Sequence, residues 1–481
     1  MADLLLSSFK LSEDEQRIIS RLRGNIRRFA KKNTLKHEYY EGKQRVERLG
    51  IAVPPDMQNL AVSVGWPGTV VDVLEERLHW QGWTTPTGSV SFLDEVYADN
   101  VLSLEASRIH LEALITGTGF ITVGKGDTDA GEPEILVSVE SSSHCTAEYD
   151  YRKRRISAAL SQTCDDKGTV VLETLYLLDE TILLERSDGR KLEVVDRNYH
   201  GLGRVPVARL RNRDRATDME GRSEISRPVR YYSDAACRTL LGMEVHREFY
   251  QAPQRYALGA EPEQFGVEED STPDQKIMAG WRAAMGRLNV IPATEDGEIP
   301  QMGQFPSTPP TPFIEQIKAY SQMISETSGI PPTNLGFVTE NPPSADSIRQ
   351  AEYRLATRAE RRQTLFGQAW KEVAFLATLI KNGSVDLGEF RKITPKWRDA
   401  FTPTRAAAAD EALKLTSAGI LPTDSEVTFD RIGLSHQEQA TVRADLRRAN
   451  VAAVVQNVRA AAGQASPEAT TLAQRRVPAT E

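Results

Sequence analysis

Residues 328–349 read SGIPPTNLGFVTENPPSADSIR, and this stretch separates the middle of the chain from its longest predicted helix. Four prolines and two glycines fall within residues 328–343. Because proline lacks a backbone N–H and glycine favours helix ends, this composition is typical of a loop. Ser344 then supplies an N-cap, and Asn382-Gly383 supplies a stop, for a helix of about 345–381.

The helix predicted over 345–381 carries one apolar stripe, and the charged residues between 349 and 361 lie mostly outside it. At 1.5 Å per residue, such a helix is about 55 Å long, which is more than a compact domain needs. We therefore expect an elongated subunit or an assembly. The stripe comprises Ile348, Ala351, Leu355, Ala359, Phe366, Trp370, Val373, Ala377 and Ile380.

Two further helices are predicted before this loop, over about 226–252 and 312–329. The segment between them, 254–310, is rich in proline and glycine. One hairpin is predicted inside it, with strands at 289–293 and 298–302. We expect this insert to be a small β-rich excursion at one end of a helix pair.

The first part of the chain, about 1–222, mixes helices with short strands and predicts one α+β domain. Ser12-Glu13-Asp14-Glu15 is a capping box that starts a helix. Further helices are expected at Leu60–Leu78 and Asn100–Thr116. Strands are expected at 120–123, 135–139, 170–178, 182–186 and 191–195, with a hairpin turn at Asp188-Gly189. The tail beyond about Ser435 is predicted to be helical as far as Ala462.

Composition argues against several classes of function. The 481 residues include 59 Lys+Arg and 67 Asp+Glu, a net charge of −8, which argues against a protein that grips nucleic acid through a basic excess. Three scattered cysteines, Cys145, Cys164 and Cys237, favour a reduced intracellular compartment. The start of the chain lacks a signal-peptide pattern, and the longest later apolar run, Val373–Ile380, is too short to span a membrane.

Motifs for chemistry are weak. Gly119–Gly126 fits G-x-x-x-x-G-K but places Gly126 where a Mg²⁺-binding Ser or Thr is needed, so a strand ending in a turn is favoured. Asp127–Glu132 starts like a calcium loop but lacks later ligands, which favours a solvated acidic turn. The seven histidines have no metal-binding spacing, and no G-x-S-x-G elbow is present. The sequence predicts no catalytic residue, metal or cofactor.

Two basic clusters could contact nucleic acid. The first is Arg27-Arg28 with Lys31-Lys32, and the second is Arg152, Lys153, Arg154 and Arg155 beside Tyr149 and Tyr151. Aromatic rings among cations suit stacking on bases and contact with phosphates. A solvated helix face and a strand edge are the favoured interpretations, and DNA contact by Arg152–Arg155 stays open as the alternative.

Five passages at the junctions of these elements carry a family resemblance. They resemble the portal protein, or head–tail connector, of tailed double-stranded DNA bacteriophages, of the type common in phages of actinobacteria. The resemblance covers about residues 12–450. The passages are Tyr39-Tyr40-Glu41-Gly42, Gly203–Val207 with Arg211–Arg213, Gly221-Arg222-Ser223-Glu224-Ile225, Ala252–Arg255, and Ser328–Gly336 with Asn341–Arg349.

The resemblance implies an elongated α+β portal fold, with an α/β wing, a two-helix stem, a small β-rich clip, a long wing-spanning helix and an α-helical crown. About twelve copies would form a ring around a channel. The implied boundaries are 1–222 and 345–432 for the wing, 223–253 and 311–330 for the stem helices, 254–310 for the clip, 331–344 for the tunnel loop and 433–481 for the crown or C-terminal tail.

The same resemblance implies a passive, non-enzymatic role at one capsid vertex of the virion, after assembly in the host cytoplasm. Double-stranded DNA would pass through during packaging and ejection, and tight phosphate binding would slow it. Asn334, Thr339, Glu340 and Asn341 would offer polar contact in the tunnel loop. The implied partners are other copies of the chain, the major capsid protein, the large terminase, the head–tail adaptor and the scaffold, with no membrane.

Two other functions remain open at this point. One is a head-completion or minor capsid protein, which would bind without forming a channel. The other is a DNA-packaging enzyme, which the imperfect phosphate loop at Gly119–Gly126 disfavours. An ATPase assay and negative-stain images of the particle would separate the three.

Overall fold

The computed structural model confirms a mixed α+β fold and divides the chain into two compact units, 1–400 and 401–481. The described residues are 10–46, 62–86, 88, 90–187, 191–217, 220–251, 255–259, 267, 270–285, 299, 301–304, 309–336, 345–401, 405–434 and 436–464.

The elements are as follows. The helices are α1 Glu13–Tyr40, α2 Trp66–Glu75, α3 Ser91–Asp99, α4 Leu102–Thr116, α5 Arg227–Gln251, α6 Pro273–Met285, α7 Thr311–Ser328, α8 Ala345–Asn382, α9 Leu387–Lys392, α10 Arg405–Ser417, α11 Glu426–Ile432 and α12 His436–Gln464. The strands are β1 Trp80–Thr84, β2 Thr118–Lys125, β3 Ile135–Ser141, β4 Cys145–Asp150, β5 Arg155–Cys164, β6 Val170–Tyr176, β7 Glu180–Ser187, β8 Lys191–Tyr199, β9 Val207–Arg211, β10 Arg255–Leu258, β11 Gln301–Gln304 and β12 Thr394–Trp397.

Helix α1 packs on a five-stranded antiparallel sheet of order β4-β5-β6-β7-β8. The predicted capping box is confirmed: Glu15 N–H donates to Ser12 Oγ at 3.3 Å, and Ser12 N–H donates to Glu15 Oε2 at 2.8 Å. Ile19 and Leu22, one turn apart, are buried against Leu160 and other sheet residues. The apolar stripe of α1 therefore fixes the helix on the sheet.

A three-stranded antiparallel sheet of order β3-β2-β9 lies against α4 and α8. Strand β2 includes most of the glycine-rich run, which confirms the strand interpretation of Gly119–Gly126. The acidic residues that follow form an exposed 3₁₀ turn at Thr128–Ala130, as the solvated-turn interpretation predicts. A buried cluster containing Phe120, Ile156 and Val207 joins this sheet to the five-stranded one.

Several element boundaries differ from the sequence predictions. The helix predicted at Leu60–Leu78 is shorter in the structure, where α2 begins at Trp66. Pro67 suits the first turn of a helix, which favours this start. Residues 47–61 lie outside the described part. Helix α3 was not predicted, and Val101 in the left-handed region (φ 48°) separates it from α4. Strands β1 and β12 were also missed, and the strand edge favoured for the second basic cluster is the turn between β4 and β5. The predicted hairpin is confirmed by the β7–β8 ladder, although residues 188–190 lie outside the described residues.

Helices α5 and α7 form an antiparallel pair. The ring centroids of Tyr232 and Tyr320 are 6.3 Å apart near one end, and those of His246 and Phe313 are 5.4 Å apart near the other. Strands β10 and β11 pair with each other just beyond these helices. The predicted pairing of 289–293 with 298–302 falls mainly on undescribed residues.

The β10–β11 pairing and α6 were not anticipated from the sequence. In the ladder, Gln301 and Met302 lie opposite Leu258 and Ala257. Helix α6 begins after Thr272, whose Oγ1 accepts from the backbone N–H of Gln275 at 3.4 Å. A Thr-x-x-Gln capping box therefore marks a helix in a segment that its proline and glycine content predicted to be β-rich.

Helix α8 confirms the long helix and the part of its stripe from Leu355 onward, whereas the side chains of Ile348 and Ala351 are outside the described part. Leu355, Ala359, Phe366 and Trp370 are buried. Trp370 stacks on Trp80 of β1, with their ring centroids 3.8 Å apart. Strand β1 in turn pairs antiparallel with β12. Residues far apart in sequence thus meet on one face of α8.

The unit 401–481 contains α10, α11 and α12. Arg431 and Glu411 form an ion pair between α11 and α10. Helix α12 ends at Gln464, close to the predicted end at Ala462. Within the described ranges, no helix combines the length and the apolar character needed to cross a bilayer.

Candidate functional site

The loop segment after α7 is anchored at its start. Gly329 ends α7 in the left-handed region (φ 70°), and Ser325 Oγ donates to the Ile330 carbonyl at 2.6 Å. A 3₁₀ turn at Pro332–Leu335 follows, with Leu335 buried and Asn334 exposed. The buried Leu335 therefore holds the turn in place, while the Asn334 side chain faces solvent.

The other three residues predicted for this loop, Thr339, Glu340 and Asn341, lie outside the described residues. Their contact with DNA stays a prediction, as does that of Asn334.

The basic residues Arg152, Lys153 and Arg154 lie in the tight turn that connects β4 to β5, and Arg155 begins β5. Asp150 Oδ1 accepts from the backbone N–H of Arg152 at 2.9 Å and of Lys153 at 3.0 Å, and these bonds lower the pKa of Asp150. Arg154 takes the left-handed conformation (φ 51°), and Arg155 donates to the Gly203 carbonyl at 3.2 Å. Arg152, Lys153 and Arg154 are exposed, so they can bind an anion, but DNA contact stays a prediction.

A buried charge network joins the start of α5 to α8. Glu224, 2% exposed, pairs with Arg362 at 2.6 Å, with Arg358 and with Arg213 at 3.5 Å. Asn212 donates to Glu224 Oε1 at 3.1 Å and accepts from Arg362 Nε at 3.1 Å. We call these five residues the junction network.

The electrostatics of the junction network favour an ionised Glu224. Burial alone would raise the pKa of Glu224, but the guanidinium groups of Arg358, Arg362 and Arg213 outweigh burial and hold the pKa below its usual range. One carboxylate surrounded by three guanidinium groups leaves an excess of positive charge. The network therefore both fixes α8 against the start of α5 and leaves a cationic surface beside it.

Backbone geometry places Glu224 at this junction. Gly221 has φ 82°, and a Cβ there would lie 2.0 Å from the Gly117 carbonyl oxygen, so only glycine allows this approach. Asn212 Nδ2 donates to the Arg222 carbonyl at 2.7 Å, and Glu224 N–H donates to the Leu114 carbonyl at 2.9 Å. The chain is thus tied to α4 and β9 before α5 begins.

Sequence reasoning missed the network, although its parts were visible. Glu224 lies in the quoted Gly221–Ile225 passage, and Asn212 lies in the quoted Arg211–Arg213 passage. Arg358 and Arg362 are four residues apart, a spacing that puts both on one face of a helix. The missing signal was a long-range one, because nothing local pairs residue 224 with residue 362.

One buried histidine has a structural role. His110 is fully buried, accepts from Trp370 Nε1 at 2.9 Å, and burial lowers its pKa to about 3. Among the described residues, no three His, Cys, Asp or Glu side chains are grouped so that they could hold a metal ion.

Comparison with known proteins assigns the family. Residues 13–426 match the family described as Phage portal protein, SPP1 Gp6-like. The match covers most of the chain, including both helices of the α5–α7 pair, the junction network and α8. The chain belongs to the phage portal protein family, which confirms the resemblance read from the sequence.

Two relatives from mycobacteriophages agree with this assignment. The portal protein of Mycobacterium phage L5 is 35% identical over 397 residues, which cover 80% of this chain and 79% of that protein. The portal protein of Mycobacterium phage D29 is 35% identical over 398 residues, with the same shares of each chain.

Solved structures with a similar chain include those of gene transfer agent particles. One, the neck of a native particle computed with C12 symmetry, is 14% identical with a TM-score of 0.43, covering 80% of this chain and 95% of that one. Another, the neck of an empty particle computed with C6 symmetry, is 16% identical with a TM-score of 0.43, covering 79% and 94%.

Proposed function

We propose that the chain is the subunit of a portal ring of about twelve copies, through which double-stranded DNA passes during packaging and ejection. The observation that carries the proposal is the family match over residues 13–426, with named portal proteins at 35% identity. The pair α5–α7 with its β10–β11 excursion supports it, since two long helices side by side suit the wall of a channel.

We assign to the parts of the subunit the boundaries expected from the sequence. Residues 1–222 and 345–432 form the wing, 223–253 and 311–330 the stem, and 254–310 the clip. The loop 331–344 faces the channel, and 433–481 forms the crown. In this arrangement the junction network holds the stem at the point where it meets the wing helix α8.

The role is passive, and the charge of the chain supports this. A ring of about twelve copies would carry roughly −96 charges, twelve times −8, so it repels the DNA phosphates over most of its surface. DNA that is not held tightly can slide. The motor that drives the DNA would be a separate protein, and this chain would not be an enzyme.

The partners and place of action follow from this role. The ring would sit at one capsid vertex of the virion, after assembly in the host cytoplasm. The wing would contact the major capsid protein and the scaffold, and the clip would receive first the large terminase and later the head–tail adaptor.

Negative-stain microscopy of the purified chain tests the proposal. Rings of about twelve subunits with a central hole are expected. Compact monomers would contradict the ring and favour the runner-up, a head-completion or minor capsid protein without a channel. Robust ATP turnover by the pure protein would instead favour a packaging enzyme.

The expected DNA contacts need tests of their own. Making the tunnel loop basic through Glu340→Lys should slow DNA packaging, because added phosphate contacts increase drag. Normal packaging rates would contradict a channel position for Glu340.

The basic turn between β4 and β5 is tested through salt. If Arg152 and Lys153 contact phosphates, the double change Arg152→Glu and Lys153→Glu should flatten the salt dependence of DNA binding. An unchanged slope would rule out phosphate contact by these two residues.

A further inference from the structure

An arginine-lined cleft of about 780 Å³ opens beside the junction network. It is formed by the segment after β9, the end of α7 and one face of α8, three elements far apart in sequence. The cations that line it are Arg213, Arg215, Arg354, Arg358, Arg361 and Arg362.

The cleft holds more positive charge than the described chain neutralises. Glu224 serves three of the six guanidinium groups, and Asp214, the acidic residue in the lining, pairs with Arg211 at 3.6 Å. Arg215, Arg354 and Arg361 are exposed, and none of them forms an ion pair with a described carboxylate. A surface with this excess attracts an anion.

We propose that this cleft receives a carboxylate of the neighbouring copy in the ring, and that Glu326 supplies it. The inference rests on the proposed ring. In a closed ring each subunit contacts the next through two different surfaces, so a cleft on one flank needs a complementary group on the other. The planar guanidinium group of arginine binds carboxylates through paired hydrogen bonds, which suits this contact.

Glu326 meets the condition that the rotational symmetry of a ring imposes on such a contact. Rotation about the ring axis changes neither the height of an atom along the axis nor its distance from the axis. The group that enters the cleft from the neighbouring copy must therefore lie at the same height as the cleft. Thr327 lines the cleft, and Glu326 is the adjacent residue on α7, turned about 100° around the helix axis. Glu326 is exposed and has no ion pair with a described cation.

A protein partner fits the cleft better than DNA does. Duplex DNA is a rod that needs an extended basic surface, whereas these arginines converge on one concave site. Tyr353, 63% exposed, lies at the lining, and tyrosine and arginine are the residue types enriched in protein interfaces.

A charge swap tests the inference. The double change Arg354→Glu and Arg361→Glu should lower ring formation at least roughly tenfold, as should Glu326→Arg, and the triple variant should recover much of the loss. Ring fractions come from native mass spectrometry. The matched control, Lys167→Glu with Lys191→Glu, reverses two exposed cations elsewhere and should leave the ring fraction unchanged.

The outcomes are distinct. Unchanged ring formation in the arginine variant overturns the proposal, and so do normal rings that only lose bound DNA. Loss in the arginine variant without recovery in the triple variant overturns the assignment of Glu326. If the unaltered chain forms no ring, the proposed function itself fails, which separates that failure from the failure of this contact.

A second measurement covers the case in which charge reversal prevents folding. Replacing Tyr353 by the photo-cross-linker p-benzoylphenylalanine keeps an aromatic ring at the cleft. Irradiated DNA-free rings should give a ladder of chain–chain products on a denaturing gel. Assembled rings that give no ladder would overturn the proposal.

Discussion

The two halves of α8 differ in their most prominent contact with the rest of the unit. The first half, around Arg358 and Arg362, is fixed by the buried carboxylate of Glu224. The second half is fixed by stacking and apolar contact, with Trp370 against Trp80 at 3.8 Å. The same helix thus changes from a charged attachment to an aromatic one within three turns.

The two kinds of contact contribute differently, one to the stability of the fold and the other to the angle between helices. The aromatic half buries large apolar surface, a contribution that is non-directional and tolerates small shifts. The charged half gains little net energy over an apolar core but requires one arrangement of donors and acceptors. We infer that the aromatic half keeps the unit folded, while the junction network sets the angle between α8 and α5.

The largest expected effect comes from Glu224→Ala. Removing the carboxylate leaves the buried Arg362 and the half-buried Arg358 without compensation, so the free energy of unfolding should fall by about 3–5 kcal/mol. Urea unfolding followed by circular dichroism measures it. Glu360→Ala, an exposed residue on the same helix, is the control and should change stability by less than about 0.5 kcal/mol. Equal effects of the two changes would refute the role given to the network.

Trp370→Phe tests the aromatic half and should have the next largest effect. The change removes the hydrogen bond to His110 and part of the stacked surface, a loss of about 1–3 kcal/mol. Because the pKa of His110 is about 3, this loss should be the same at pH 5 and at pH 8. A strongly pH-dependent loss would show that His110 is charged in the folded chain.

Acid should remove the contribution that Glu224 makes to the charged half. The pKa of Glu224 is lowered on folding, so the unfolded chain binds more protons between its unfolded pKa, about 4.3, and the lower folded value. The stability from Glu224 is therefore complete above that window and is lost as the pH falls through it. The difference between the original chain and Glu224→Ala should narrow below about pH 4.3 in urea titrations. A constant difference would contradict an ionised Glu224.

The smallest effect is expected far from α8, at the start of α1. Ser12→Ala removes the side-chain acceptor of the capping box and should lower stability by about 1 kcal/mol. Ser12→Asn keeps an acceptor and should stay within a few tenths of the original value. If the two variants behave alike, the capping bond contributes nothing measurable to the fold.

The sequence predicted the features that depend on local signals. The capping box at Ser12, the end of α7 at Gly329 and the stripe of α8 from Leu355 onward each follow from a few neighbouring residues, and all three are confirmed. The family was also recognisable from short passages at the junctions of elements. Helices with a regular apolar period and clear end signals were therefore predictable from the sequence.

The rest depended on contacts between distant residues. Nothing near Glu224 indicates that it pairs with Arg362, and α6 was hidden in a segment whose composition predicted strands. The partnering of β1 with β12 joins residues about three hundred positions apart, which no local pattern encodes. Of the predicted site residues, Asn334, Arg152, Lys153 and Arg154 are exposed and Arg155 begins β5, and their contacts with DNA stay predictions.

The number of chains in the assembled particle tests the central claim most directly. Native mass spectrometry of the purified protein should give a particle of about twelve times the 53.4 kDa chain mass, and its images should have a central hole. A protein that remains monomeric or dimeric at micromolar concentration, with no ring after concentration or addition of DNA, would contradict the account.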